Sequence, residues 1–288
     1  LHAGVNTGLG QVREHFDRTK VNRLILLSDG QANVGPSSPA ELAALGVEAG
    51  RLGIPVTTIG LGLGYNEDLL TQLALASDGN HGFAETPDHL ESLFAAELGD
   101  VMSVVASDVV IEIELAPGVK PLRGLNRPVS IKGQKAALKL SQIYGKQRKN
   151  VIIEVAVPKG GAGKSKKLAD VAVAYRNLAT KKTGKVASAV AVSFDRSAAA
   201  VEKAANQRVM VGVVEALANE KQREAIALRD QGKAADARRV LEQNAAELRH
   251  AGKKYRSDKL DAFAEAADED AAEVERDGEW TKRRKDMA

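Results

Sequence analysis

The chain has 288 residues, of which 44% are hydrophobic and 27% are charged, a composition typical of a globular protein. It contains no cysteine, which excludes disulfide bonds, thiolate metal sites and a cysteine nucleophile. No apolar run in the sequence approaches the roughly 20 residues that a membrane-spanning helix needs. Leu1 is not a methionine and lies directly in a helix-like pattern, so we expect the natural N-terminus, with any signal peptide or anchor, to precede it.

The net charge of +3 hides three regions of different charge. Residues 1–106 hold 5 Lys and Arg against 13 Asp and Glu, residues 107–196 hold 18 against 6, and residues 197–288 hold 18 against 19. We therefore predict three units along the chain. Because the first unit is acidic and the second is basic, their charges favour a contact between them.

In the first unit, helical and strand-like patterns alternate. The spacing of apolar residues predicts helices over 1–17, 39–52, 66–76 and 87–106, and strands over 23–28, 54–61 and 81–84. Residues that cap helices, or proline at a first helical position, precede three of these helices. This order predicts right-handed crossovers and a mostly parallel, Rossmann-like α/β sheet.

The first predicted strand ends in an aspartate. Residues 24–27 are four consecutive large apolar residues, which predicts a strand buried on both faces. Asp29 follows at the carboxyl end of that strand, where open parallel sheets place their ligands. Asp29 is therefore a candidate ligand-binding residue, and a simple turn formed with Gly30 is the alternative.

The second and third units differ from the first in their patterns. Gly, Pro and Lys turns separate five strand patterns, which predict an antiparallel β-sandwich from residues 108–115, 136–143, 150–157, 168–176 and 185–194. The third unit is predicted to be a helical hairpin or bundle, in which one apolar face packs on another, namely Val209, Val213 and Leu217 on Val240, Leu241 and Leu248. Its charged end, residues 279–288, is expected to fray.

Several segments of the first unit together resemble the von Willebrand factor type A domain. Residues 1–9, LHAGVNTGL, resemble the helix after that family's metal-binding threonine, and residues 24–30, LILLSDG, resemble its I-L-L-T/S-D-G strand and loop. Residues 54–63 resemble its later G-I-x-V-x-x-I-G-x-G strand, and residues 78–83 resemble its A-x-x-x-G-G-x-Y/F segment. In the second unit, residues 116–119, APGV, resemble the sandwich that follows this domain in bacterial proteins.

This resemblance implies a divalent metal site at the carboxyl end of the sheet. Asp29 matches the family's aspartate ligand, whereas the D-x-S-x-S loop, the threonine and the first strands would lie before Leu1. We therefore expect Mg²⁺ or another divalent cation in the complete domain, and poor or no metal binding by this chain alone. The missing strands would also leave an apolar sheet edge exposed.

The function implied by the resemblance is a non-enzymatic protein-interaction or adhesion module. Its partner would be another protein that presents an acidic residue to the metal. The compartment is open, and an extracytoplasmic or membrane-anchored location would depend on the segment before Leu1.

Two other functions are open. The first is an enzyme or nucleotide-binding protein on a Rossmann-like sheet; residues 160–165, GGAGKS, resemble part of a phosphate loop, but Pro158 occupies the position of its first glycine. The second is binding of a polyanion by the basic sandwich. Nucleic acid is not expected as a partner, because that unit offers only Tyr144 and Tyr175 for base stacking. No serine or histidine pattern typical of a catalytic site is present.

Overall fold

The computed structural model describes residues 1–29 and 35–287. The N-terminal part is an α/β unit with a three-stranded parallel sheet in the order β1-β2-β3. Its helices and strands alternate as predicted: α1 (His2–Glu14), β1 (Leu24–Ser28), α2 (Pro39–Arg51), β2 (Val56–Leu61), α3 (Glu67–Ser77), β3 (His81–Ala84) and α4 (Pro87–Met102).

Short-range hydrogen bonds determine where α2 and α3 begin. The Ser38 hydroxyl accepts from the Glu41 N–H, and the Glu41 carboxylate accepts from the Ser38 N–H, which together form a capping box. The Asn66 side chain accepts from the Leu69 N–H at 3.2 Å and caps α3. As a result, a loop of five residues, 62–66, separates the end of β2 from the start of α3 and lies at the carboxyl end of the sheet.

The core of the α/β unit lies between the sheet and helices α1 to α3. Its fully buried members are mainly aliphatic: Val5, Leu9, Leu42, Leu45, Ala49, Ile54, Val56, Leu69 and Leu73. Strand β2 is buried over nearly its whole length. Strand β1, by contrast, lies at the edge of the sheet, and Leu27 is 40% exposed. The prediction that β1 is buried on both faces is therefore wrong, because among the described residues β1 pairs only with β2.

The middle of the chain forms an antiparallel β unit. Its strands are β4 (Val104–Leu115), β5 (Lys120–Gly124), β6 (Ser130–Lys132), β7 (Lys135–Tyr144), β8 (Ile153–Ala156), β9 (Ser165–Asn177) and β10 (Thr183–Ser193). Five of them form one sheet in the order β10-β9-β4-β7-β6, and β5 pairs with β8. Strand β4 begins at Val104, so it crosses the boundary that the charge pattern places after residue 106.

The predicted β-sandwich has only a small second layer. Val119 and Val155, from the β5–β8 segment, pack against Leu115 and Leu168 of the five-stranded sheet. This layer leaves the edge strand β10 uncovered, and Val186 on the core-facing side of β10 is 57% exposed. The structure therefore confirms an antiparallel sheet, whereas its second layer within the described residues is a two-stranded ladder.

The C-terminal part is helical and consists of α5 (Ala198–Ala204), α6 (Gln207–Asp230), α7 (Ala234–Tyr255), α8 (Asp258–Glu273) and α9 (Asp277–Met287). Helices α6, α7 and α8 pack side by side around small side chains, which include Ala218, Ala245, Ala251, Ala264 and Ala267. None of the helices in residues 1–29 and 35–287 is long and apolar enough to cross a membrane.

The contacts predicted for the helical part are partly wrong. Leu241 and Leu248 are buried as expected, but Val209 is 54% exposed and Leu217 also faces solvent. The buried side of α6 instead carries Ala218 and Ala225. Helices α8 and α9 pack against the hairpin of α6 and α7, and alanine side chains form much of the interface. A prediction based on large apolar residues therefore selects the wrong face of α6.

Candidate functional site

The candidate site is the end of the parallel sheet at which all three strands have their carboxyl termini. Asp29 follows β1, the loop over residues 62–66 follows β2, and Glu85 follows β3. Open α/β sheets bind ligands at this end. The first two loops lie close together, since a Cβ atom added to Gly64 would lie 3.6 Å from the Asp29 carbonyl oxygen.

Asp29 is exposed at this end of the sheet, in the position that the sequence predicts. Residues 30–33 of its motif lie outside the described residues. Within the part of the chain that the structure describes, no three His, Asp or Glu side chains are grouped as a metal site requires. The described surroundings of Asp29 therefore do not fit a bound metal on their own, because Mg²⁺ needs several oxygen ligands or retained waters.

A buried hydrogen-bonded chain lies behind the loop that follows β2. The Thr58 hydroxyl donates to the Leu70 carbonyl at 3.0 Å, so its oxygen can accept from His81 Nδ1 at 2.8 Å. His81 Nε2 then accepts from the Tyr65 hydroxyl at 3.3 Å. This network assigns the neutral imidazole with the proton on Nδ1. The pKa of His81 is lowered from 6.5 to about 4, chiefly by burial and also by the charge of Lys285, while Glu67 and the Thr58 backbone oppose the shift.

Basic residues of the C-terminal helix α9 form ion pairs with acidic residues at the start of α3. Lys285 of α9 is buried and donates from Nζ to the Tyr65 carbonyl at 2.9 Å and to Glu67 Oε2 at 2.6 Å. Arg284 forms ion pairs with Glu67 and, at 2.8 Å, with Asp68. Burial raises the pKa of Glu67, but hydrogen bonds from Lys285, its own backbone and Arg284 outweigh burial and leave the pKa below its usual value.

A further ion pair extends this contact to the third strand. Lys282 of α9 lies 2.8 Å from Glu85, the residue that follows β3. One turn before Arg284 in α9, buried Trp280 packs against Ala225, Ala237 and Val274 of the helical part. Helix α9 therefore lies across the carboxyl ends of β2 and β3, and the expectation that residues 279–288 fray is wrong for the described residues up to 287.

A second ionic cluster joins the α/β unit to the β unit. Asp78 ends α3 with φ 59°, and its carboxylate accepts from the Ser141 backbone N–H at 2.7 Å. Lys149 lies 3.2 Å from this carboxylate and Arg127 lies 3.1 Å from it. Burial lowers the pKa of Lys149, and Asp78 partly offsets that effect. Asp78 of the acidic first unit thus pairs with two basic residues of the second unit, a contact that the opposite net charges of these units favour.

The glycine-rich segments do not form nucleotide sites. Gly163 lies in the turn before β9, and Ser165 begins that strand rather than a helix, so the phosphate-loop geometry is absent from this segment. At Gly60, an added Cβ would lie 2.2 Å from the Tyr65 ring. Glycine is therefore required there so that the Tyr65 ring can pack directly over β2.

The chain is similar to known proteins more in its fold than in its sequence. No family model matches it. The uncharacterized protein YfbK of Escherichia coli (strain K12) is 28% identical over 116 residues, which are 40% of this chain and 20% of YfbK. The chain thus covers about a fifth of the curated relative that it matches.

Two solved structures share its architecture. A von Willebrand factor type A protein from Catenulispora acidiphila superposes with a TM-score of 0.70 at 17% identity, over 88% of this chain and 62% of that one. The chain has a von Willebrand factor type A-like fold. The ArnB paralog VWA2 from Sulfolobus acidocaldarius gives a TM-score of 0.50 at 17% identity, over 91% of this chain and 66% of that one. The resemblance seen in the sequence is thereby confirmed for the fold of the type A-like unit.

Sequence reasoning found Asp29 but missed the residues that make most of the contacts at this end of the sheet. Tyr65, Glu67 and His81 belong to a loop, a helix start and a short strand, and the resemblance of residues 78–83 to the family segment gave no role to His81. The one available signal was the run of four basic residues at 282–285, which follows Trp280. A tryptophan has a large apolar surface to bury, and arginine and lysine form strong hydrogen bonds with carboxylates.

Proposed function

We propose that the protein is a non-enzymatic protein-interaction module that binds its partner at the carboxyl end of the β1–β3 sheet. The observation that carries this proposal is the convergence of Asp29, the loop over residues 62–66 and Glu85 at one end of a type A-like sheet. Domains with this fold are generally protein-interaction modules. The absence of a phosphate loop in residues 158–165 gives no support to the nucleotide-binding alternative.

We propose in addition that Asp29 is one ligand of a divalent cation, Mg²⁺ by the chemistry of its carboxylate. Exposure of Asp29 and its position after β1 support this role. The described residues do not complete the coordination, so the remaining ligands must come from groups outside them. An acidic residue of the partner protein is one candidate for an open coordination position.

Calorimetric titration with Mg²⁺ tests the metal role in the longest natural form of the protein. The Asp29→Ala variant is expected to lose at least tenfold in Mg²⁺ affinity, because one charged ligand is removed. Asp195→Ala is the matched control, since Asp195 is an exposed aspartate in the loop after β10. Equal Mg²⁺ affinity of the wild-type protein and the Asp29→Ala variant would overturn the metal role of Asp29.

A further inference from the structure

We propose that the carboxyl-end rim, defined as Tyr65, Glu67, Asp68 and Glu85, is a docking surface for a basic helix. In this chain the surface is filled by α9, and a partner protein that presents a helix of similar charge displaces it. This inference deepens the proposed interaction function by giving the chemistry of the partner, and it rests on that function for the choice of binding face. It does not depend on Asp29 or on a metal.

Charge complementarity is the first support. The rim offers three carboxylates and one backbone carbonyl, and α9 meets them with Lys282, Arg284 and Lys285. The arrangement is directional: Lys282 reaches Glu85, whereas the adjacent Arg284 and Lys285 share Glu67. A helix with two adjacent basic residues and a third basic residue one turn earlier therefore matches the rim.

Burial at the centre of the rim is the second support. The Arg284 and Lys285 side chains are 13% and 2% exposed, and the Glu67 side chain is 11% exposed. Lys285 Nζ also lies 4.1 Å from the centre of the Tyr65 ring, where a cation is attracted to the aromatic face. Buried carboxylates that lose their cations are strongly destabilised, so the empty rim favours any segment that supplies replacements.

The nature of the attachment is the third support. Only residues 274–276 separate α8 from α9, and at the rim itself α9 makes ionic and backbone contacts. Its apolar anchor, Trp280, lies one turn before Arg284 and packs against the helical part, and no residue of α9 belongs to the described α/β core. The partly exposed Lys282–Glu85 pair is weakened by salt, whereas the buried pairs of Glu67 are screened much less and are given up only when another cation replaces them. Helix α9 can therefore leave the rim without unfolding the α/β core, which consists of other residues.

A peptide-binding assay on the full chain tests this inference. The probe is a fluorescein-labelled peptide of residues 274–288, added to the wild-type chain and to an Arg284→Glu, Lys285→Glu variant in which α9 is repelled from the rim. Because an attached helix competes at an effective concentration near the millimolar range, we expect the wild-type chain to bind the peptide at least tenfold more weakly than the variant. Adding Glu67→Arg to the variant should remove this gain.

The controls separate docking from unfolding and from the metal role. Lys253→Glu with Lys254→Glu changes two adjacent exposed basic residues in the last turn of α7 and should leave peptide affinity at the wild-type value. Hydrogen exchange of the Arg284→Glu, Lys285→Glu variant should show faster exchange over residues 62–70, with α7 still protected. Unchanged exchange over residues 62–70, or no gain in peptide affinity despite faster exchange, would overturn the inference.

Failure of the metal proposal is distinguishable from failure of this one. The peptide assay contains no divalent cation, and Asp29→Ala in the Arg284→Glu, Lys285→Glu background should bind the peptide as before. A loss of peptide affinity in that variant would place Asp29 in the docking surface and contradict the inference as stated.

Discussion

The stability of this protein should depend on pH through the largely buried imidazole of His81. His81 is held neutral between Thr58 and Tyr65, and its pKa is lowered from 6.5 to about 4, chiefly by burial. The unfolded chain binds a proton near pH 6.5, whereas the folded chain resists it until about pH 4. The contribution of His81 to stability is therefore complete above pH 6.5 and is lost as the pH falls towards 4.

The size of this effect follows from the shift in pKa. One unit corresponds to about 1.4 kcal/mol, so the whole window is worth about 3 kcal/mol, of which about 2 kcal/mol is lost between pH 8 and pH 5. Asp270 acts in the opposite direction, because burial raises its pKa from 3.8 to about 6. For this reason the test compares the pH dependence of the unfolding free energy in the wild type and in a variant that lacks His81.

The His81→Asn variant provides that comparison, because asparagine retains a donor for Thr58 and does not titrate. Urea unfolding followed by far-ultraviolet circular dichroism at pH 8, 6.5 and 5 should show a pH dependence that is about 2 kcal/mol smaller in the variant. His250→Gln, an exposed substitution on α7, is the control and should match the wild type. The same pH dependence in the wild type and His81→Asn, or an imidazole that titrates by NMR above pH 6, would refute the reasoning.

Two further predictions concern buried ionic contacts. Glu97→Ala should lower the unfolding free energy by about 3–5 kcal/mol in chemical denaturation, because buried Arg23 loses its carboxylate partner and the Thr57 hydroxyl loses an acceptor at 2.5 Å. The control is Glu91→Ala, an exposed position on the same helix, which should lower it by less than about 0.5 kcal/mol. Asp78→Asn should cost about 2–4 kcal/mol, because asparagine tolerates the left-handed backbone but leaves buried Lys149 without a carboxylate. A loss under about 1 kcal/mol in thermal and urea unfolding of Asp78→Asn would contradict that account.

The sequence predicts the α/β unit well because its signals are local. Ser38 and Asn66 cap helices by contacts within three residues, and the apolar run 54–61 brackets the central strand β2. The edge strand β1 has an equally apolar sequence but is only partly buried. Hydrophobicity along a strand therefore indicates that it belongs to a sheet, whereas its burial depends on how many neighbours pair with it, and those neighbours are distant in sequence.

The second and third units were harder to predict for the same reason. Strands β5 and β6 are short and polar, so no alternating pattern marks them before their pairing with β8 and β7 is known. In the helical part, alanines line much of the contact between α6, α7 and α8, and an alanine distinguishes a buried from an exposed helix face less clearly than a large apolar residue does. Which face of α6 is buried depends on helix α8, whose position is set by contacts about 20 or more residues away along the chain.

The C-terminal segment shows why charge alone is a poor guide to disorder. A run such as residues 282–285 remains solvated when carboxylates are too distant to replace its water. Here Trp280 gains burial against the helical part, and that anchor orients the next turn of α9 towards Glu67. The cost of removing Lys285 from water is then offset by the Glu67 carboxylate, the Tyr65 carbonyl and the Tyr65 ring together. The position of α9 therefore depends on residues about 220 positions earlier in the chain, and no local pattern in residues 277–287 indicates those partners.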